Sequence, residues 1–471
     1  MDVKLWNTMG REMQTFVPIT PGKVGMYCCG LTVYDFAHVG NLRTYILEDL
    51  LRKTLEYFGY EVRHVMNITD VGHLTGDADE GEDKMLKGAR EKGKTVWEIA
   101  DFYAKAFFRD LALIRCASPA VICKATEHIR DMIDLISLLE KRGFTYVAGG
   151  NVYFDISKFP GYGKLALLDQ QELRAGARVI VDEGKKNPAD FVLWFTKGKF
   201  EHQVMLWDSP WGRGYPGWHI ECSAMSMKYL GQHFDIHCGG IDHIPVHHTN
   251  EIAQSEAATG TKWVNYWVHA EWLLIGKEKM AKSSGNLVPL AGLIEKGYDP
   301  LDYRFFCLGA HYRTQLSFTW EAMDAARTGR QGLVDKIVQL KAEAEPAAEP
   351  EGKAREYLSD FEQHAADDLN MPRCLADLWT LLRDASVPAA QKLSAAYRMD
   401  RILDFGLSGS QERSVEMDSE TRALVEEREQ ARKARNFKRA DEIRQLLLAK
   451  GIEVQDGPKG PKVRFAAGQR G

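Results

Sequence analysis

Residues 26–44 read MYCCGLTVYDFAHVGNLRT. The run opens apolar, with Met26, Tyr27, Cys28 and Cys29, as the end of a buried parallel strand does. Gly30 breaks that strand. Past His38, Val39, Gly40 and Asn41, apolar residues return at helical spacing from Leu42 to Leu55. A strand, a glycine-containing turn and a helix N-terminus make a place for phosphate. The first-turn N–H groups lack partners, and the helix dipole favours an anion. His38, just before the helix, can donate to such a phosphate. Cys29 stands at the strand's C-terminal end, where ligands gather in open α/β sheets. The same pattern occurs in turns that bind nothing, so the assignment depends on the rest of the chain.

Outward from this stretch, KVGMYCCG, the helix after Asn41 and EVRHVMNITD form a strand–helix–strand unit over 23–70. That unit implies a right-handed crossover and a parallel sheet. The acidic run TGDADEGED at 75–83 resembles a calcium loop, but Gly88 stands where such a loop needs Glu, so a solvated loop is expected. Residues 95–114 form an amphipathic pattern rich in Phe and Tyr. Residues 120–206 read as an insertion, with a helix around 128–142, a turn at Gly149 and Gly150, and the short strands VYFDI and FVLWF. The α/β pattern returns over 217–275. AEAEPAAEPEG at 342–352 is a low-complexity hinge, and 354–404 is largely helical. A polar break at 408–413 precedes charged helices over 419–450.

The 471 residues suffice for two to four domains. With 45% hydrophobic and 27% charged residues the composition is that of a soluble protein, and no apolar run reaches the roughly 18 residues of a membrane span. The start, MDVKLWNTMGREM, lacks the apolar core of a signal peptide, so a cytoplasmic location is expected. A formal net charge of −5 means that any nucleic-acid surface must be local. The cysteines at 28, 29, 116, 123, 222, 238, 307 and 374 are scattered, which argues for reduced thiols with some able to hold metal.

Three constellations carry chemistry. His247 and Glu251 are four apart and share one face of a helix that Gly260 can cap; with Cys29 and Cys222 they are plausible zinc ligands. From spacing alone Cys28, Cys238, His237 and His243 compete with them, and a buried free cysteine is also an ordinary small apolar residue. Second, GKEKMAKSSGN at 276–286 is a cationic glycine-bounded loop whose Lys279 and Lys282 can neutralise charge as pyrophosphate leaves; an exposed basic loop reads the same way. Third, 422–444 carries eight Lys/Arg against five Asp/Glu, with Arg432, Lys433, Arg435, Lys438 and Arg439 around Asn436. Such a face can hold nucleic-acid phosphates or simply be solvated.

Together and in this order, CGLTVYDFAHVGN, NITD, VYFDISKFPGYGKL, FVLW, PGWHIECSAM, FDIHCGG, HHTNEIAQSEA, YWVH, KMAKS and the tail EEREQARKARNFKRADEIRQLL resemble the cysteinyl-tRNA synthetases, a family of class I aminoacyl-tRNA synthetases. The resemblance covers nearly the whole chain. It implies an α/β, Rossmann-type parallel-sheet catalytic domain with an inserted subdomain, then a helical bundle and a small C-terminal tRNA-binding domain. The expected divisions are 1–119 and 207–275 for the two catalytic halves, 120–206 for the insertion, and 276–341 for the KMSKS loop and stem-contact region. The bundle would be 342–407 and the anticodon-binding region 408–471.

The activity implied is ATP-dependent activation of L-cysteine to cysteinyl-adenylate and its transfer to the 3′ end of cysteine tRNA. The resemblance further implies one Zn²⁺ per chain on Cys29, Cys222, His247 and Glu251, binding the substrate as thiolate. ATP would enter with Mg²⁺. Gly30, Thr32, His38, Gly40, Asn41, Lys279 and Lys282 would bind ATP, and His38, Asn41, Lys279 and Lys282 would serve catalysis. Thr69, Trp218, His237 and Asp242 would bind cysteine, and the five basic tail residues would meet tRNA. A monomer without membrane contact is expected. The chain departs from the family pattern at Leu31, Ala281 and Cys238, and the tail carries KVRF where relatives often have Trp. A related ligase that joins cysteine to a sugar amine lacks the C-terminal region that this chain has at 354–464.

Overall fold

Five strands lie side by side, each parallel to its neighbour: β1 (Lys23–Cys28), β2 (Glu61–Ile68), β3 (Val121–Lys124), β4 (Phe234–Gly240) and β5 (Val264–Ala270). Their spatial order is β5-β4-β1-β2-β3. The chain leaves β1 toward one edge and later resumes at β4 toward the other. The crevice between the ends of β1 and β4 is therefore the topological switch point of the sheet. In this computed structural model residues 1–71, 94–167, 184–196, 204–275, 278–279, 287–411, 419–457 and 460–465 are described.

Helix α1 (Val39–Tyr57) carries the crossover from β1 to β2. It begins three residues before the apolar repeat at Leu42, because His38 caps it: His38 Nδ1 accepts from the N–H of Asn41, and Asn41 Oδ1 accepts from the N–H of His38. Side chains alternate across the sheet. Met26 and Cys28 of β1, Met66 of β2 and Cys238 of β4 join the larger core, while Tyr27, Cys29 and Val65 join the second.

The antiparallel sheet is built from Thr145–Ala148, Asn151–Phe154, Phe191–Phe195 and Tyr215–Pro216. Gly149 and Gly150 both have positive φ, 57° and 95°, as a two-residue hairpin turn with the right twist requires. This sheet spans 145–216, later at both ends than the 120–206 taken from the sequence. β3 belongs to the parallel sheet, and the helix Ile129–Lys141 packs on α2 (Trp218–Leu230) and α3 (Thr249–Thr259).

Helices Gly352–Ala366, Met371–Arg383 and Ala389–Leu403 form the bundle, and Trp320–Glu343 packs against the last of them. The bundle core is continuous with the α1 face of the sheet. Arg304, fully buried, ties the two together: it pairs with Asp49 of α1 at 2.8 Å and donates to the carbonyls of Leu403 and Ile114. The C-terminal unit is separate in its packing. Helices Ser419–Lys433 and Phe437–Ala449 and the hairpin Ile452–Gly457/Gly460–Phe465 enclose their own small core of Val425, Ile443, Leu447, Ile452 and Val454. Among the described residues no helix is long and apolar enough to cross a membrane.

Candidate active site and metal centre

The site assembles where β1 and β4 end. Cys29 is the first residue beyond β1, and its N–H donates to the carbonyl of Cys238 at 3.4 Å, which holds the exit of β1 against the end of β4. Gly30 follows. Its N–H donates to Asn67 Oδ1 at 2.9 Å, and a Cβ there would lie 1.6 Å from the Asn67 carbonyl oxygen, so only glycine fits this close approach. Thr32 bridges to Thr69, whose hydroxyl donates to Glu221 Oε2 at 3.0 Å and accepts from Asn67 Nδ2 at 3.1 Å.

From the other side, α2 presents Trp218 and Cys222 one turn apart on one face. A π-turn at Ile244–His248 and α3 present His247 and Glu251, again four apart; Gly260 ends α3 in the left-handed conformation, φ 76°. His247 Nε2 lies 2.6 Å from Glu251 Oε1. The thiols of Cys29 and Cys222 are 4.0 Å apart, and Cys29 Sγ is 4.0 Å from Glu251 Oε1. One donor atom from each of the four residues lies within 4.8 Å of the others, and all four are buried. Two thiols, an imidazole and a carboxylate at this spacing suit a zinc-type cation.

Electrostatics point the same way. Burial opposes a proton on His247, but the Glu251 carboxylate and the Cys222 thiol overcome it and hold the imidazole up at about 10. Burial pushes Glu251 up, and His247 with His237 more than reverses this, leaving it below the usual carboxylate range. Burial drives the Cys29 thiol well up. It opposes ionisation of Cys222 too, yet hydrogen bonds from Cys29 and His247 bring that thiol down, so Cys222 is the first of the pair to ionise. The cluster thus gathers negative charge around one proton, a place that a cation can take.

An outer ring of side chains holds these donors. His237, at 0% exposure, pairs through Nε2 with Glu251 Oε2 at 2.7 Å. It lies behind the carboxylate and is not among the described residues that line the cavity. His219 Nδ1 is 3.0 Å from His247 Nδ1. His248 Nε2 approaches Cys29 Sγ at 3.4 Å, while its Nδ1 meets His269 Nε2 at 2.8 Å, and His269 Nδ1 meets Thr8 Oγ1 at 2.8 Å. With His237, His248 makes a second donor set sharing Cys29 and Glu251. Spacing in the sequence does not single out His248, His269 or His219. The tandem His247-His248 was the available sign.

Part of this cluster opens on a cavity of about 350 Å³. Cys29, Cys222 and His247 line one part of it, with Thr69, Trp218 and Asp242; Trp218 stacks on His247 at 4.3 Å between ring centroids. Gly30, Thr32, His38, Gly40 and Asn41 line the rest, at the N-terminus of α1. With Nδ1 of His38 accepting in the cap, a neutral ring carries its proton on Nε2. The backbone of Lys279 belongs to a short strand, Glu278–Lys279, paired with Leu273–Ile275. Lys282 and the acidic run at 75–83 lie outside the described residues. In the tail, Lys433, Arg435 and Lys438 are exposed and Arg432 half-buried around the turn between the two helices. Arg439 instead spans the helices, pairing with Glu427 at 2.7 Å and Glu442 at 3.2 Å.

The chain is similar to known proteins over nearly its whole length. Residues 15–328 match the family described as "tRNA synthetases class I (C) catalytic domain", and residues 414–464 match "Cysteinyl-tRNA ligase anticodon binding domain". The chain is 52% identical to a cysteine–tRNA ligase of Treponema denticola, over 97% of this chain and 98% of that one. It is 48% identical to cysteine–tRNA ligase 1 of Burkholderia lata, over 98% and 97%. In fold it is similar to a methionyl-tRNA synthetase of Mycobacterium tuberculosis, solved with methionyl-adenylate: the TM-score is 0.54 at 16% identity, covering 81% of this chain and 89% of that one.

Proposed function

The chain belongs to the cysteinyl-tRNA synthetase family of class I ATP-dependent ligases, and from that premise we propose that Cys29, Cys222, His247 and Glu251 hold a zinc ion that selects cysteine as its thiolate. The observation that carries this reading is that the four donors cluster within 4.8 Å of one another and that three of them, Cys29, Cys222 and His247, line the same cavity as the N-terminus of α1. A bound zinc supplies a soft Lewis acid that favours a thiolate over serine's hydroxyl. Cysteine and serine differ by one atom, and a pocket reading size alone discriminates poorly between such substrates.

The chain's own groups do the rest. Glu251 is oriented by His237, and His247 by His219 and the Trp218 ring. Thr69, Trp218 and Asp242 line the space beside the donors, where the rest of the amino acid fits. His38 through Nε2, with Asn41 and the first-turn amides beside Gly30, Thr32 and Gly40, receives the ATP triphosphate with its Mg²⁺. Lys279 and Lys282 neutralise charge as pyrophosphate departs. Residues 408–471 bind the tRNA, with Arg432, Lys433, Arg435 and Lys438 meeting phosphate and Arg439 bracing the helix pair.

Cysteine-dependent exchange of pyrophosphate into ATP, measured on zinc-loaded and zinc-stripped protein with cysteine and with serine, tests the assignment. Exchange should require both zinc and cysteine, and should return on adding zinc back. Full exchange in zinc-free protein overturns it.

A further inference from the structure

Cys28 and Cys29 are adjacent, yet they face opposite sides of the sheet, and only Cys29 lines the cavity. Cys28 turns under α1. Glu48 comes down to it from the helix, and His64 comes from β2, two residues before the register partner of Cys28. One donor atom each from Cys28, Glu48 and His64 lies within 4.8 Å of the others. The three residues are 0%, 1% and 3% exposed.

Both carboxylate oxygens of Glu48 and both ring nitrogens of His64 are buried without a hydrogen-bond partner. The Cys28 thiol is close enough to favour ionised Glu48 but makes no hydrogen bond of ordinary geometry with either oxygen. Buried carboxylates and imidazoles are nearly always satisfied. Four unsatisfied polar atoms beside one thiol therefore call for a partner that protein groups do not supply. Cys238 sits directly across from Cys28 on β4, its thiol beside that of Cys28.

We propose that Cys28, Glu48 and His64 form a second, structural metal site for a zinc-type divalent cation. Thiolate, imidazole and carboxylate are zinc donors, and two anionic ligands with a neutral imidazole balance a divalent charge, as an apolar surrounding demands. A tetrahedral site with bonds of about 2.0–2.3 Å spaces its donors roughly 3.3–3.8 Å apart, so the cluster need close by no more than about 1.5 Å on binding. None of the three residues lines the cavity, so the ion would be enclosed by protein and would carry no substrate. Its effect is to fasten α1, which His38 caps, to β1 and β2. Metal would enter as the chain folds.

The test is zinc stoichiometry of the full chain, produced with zinc supplied and measured by elemental mass spectrometry. Two equivalents per chain are expected. Cys222→Ala should lose one, and Cys28→Val should lose the other; the double variant should hold none. His64→Phe and Glu48→Gln repeat the second loss, in case any one variant fails to fold. A chelator should strip the equivalent that Cys222→Ala removes from native protein, and the equivalent that Cys28→Val removes only after unfolding. A single equivalent in the unaltered chain that Cys222→Ala abolishes overturns the second site and leaves the first. Two equivalents retained in both Cys28→Val and His64→Phe overturn it as well.

Discussion

The cavity at the ends of β1 and β4 and the C-terminal helix pair both lie in regions that handle nucleotides, and they are built in opposite ways. In the cavity region Cys29, Cys222, His247 and Glu251 are buried, and several groups are held by a further buried one: Glu251 by His237, His247 by His219, and the loop after β1 by Cys238 and Asn67. In the tail the basic side chains stand around one turn over a core of five residues. The first arrangement positions its groups through buried hydrogen bonds. The second offers charge to a partner that brings its own shape. Single changes should therefore be severe in the first region and graded in the second.

The largest effect is expected from Cys222→Ala. Exchange of pyrophosphate should fall roughly 10²–10³-fold or more, the scale of losing one fixed electrostatic group at the reacting centre, together with one zinc equivalent. Exchange near the unaltered rate would put the metal donors elsewhere. Next is Lys282→Ala, for which kcat should drop by on the order of 10²-fold while KM for cysteine changes little, because the charge acts as pyrophosphate leaves. A raised KM with normal kcat would move this lysine to ground-state binding.

His237→Phe probes whether the support behind Glu251 matters. Zinc affinity at the cavity site should weaken about 10–100-fold, as loss of an orienting partner does. Unchanged affinity would show that Glu251 needs no second hold, and the contrast between the regions would shrink. Ending the chain after residue 411 should leave exchange intact but lower charging of sub-saturating tRNA by about tenfold or more, since the phosphate-contacting module is gone. Equal charging would make the tail an appendage. The smallest effect separates two tail cations. Lys438→Ala should reduce the salt slope of tRNA binding by about 1. Arg439→Ala should leave that slope nearly unchanged, because Glu427 and Glu442 already hold its guanidinium.

Much of this was readable in the chain. The apolar end of β1, the break at Gly30 and the i, i+4 pair at 247/251 are local patterns, and local patterns survive folding. Family motifs single out Cys29, Cys222, His247 and Glu251, and the fold brings these four together. Three things were not readable. The short strand Val121–Lys124 gives no sign of which sheet it joins; that is decided by pairing with β2, more than fifty residues earlier. His38 was legible as a ligand but not as a helix cap, since His and Asn are an unusual capping pair. His248, His269 and Thr8 form a relay only because folding brings residues some 250 positions apart into contact.

The two neighbouring thiols of β1 have a consequence for how the protein is made. In a strand, a slip of one residue exchanges the faces of every side chain. A slipped β1 would carry Cys28 to the cavity side, and a thiol would still stand where the metal donor belongs. Zinc present while the sheet forms can therefore capture the wrong register as well as the right one. Zinc added after folding meets a strand already locked. Recovery of cavity-site activity should be higher with late zinc than with early zinc, although late zinc leaves the enclosed Cys28 site empty, and Cys28→Val, with one thiol left in the strand, should be indifferent to the order.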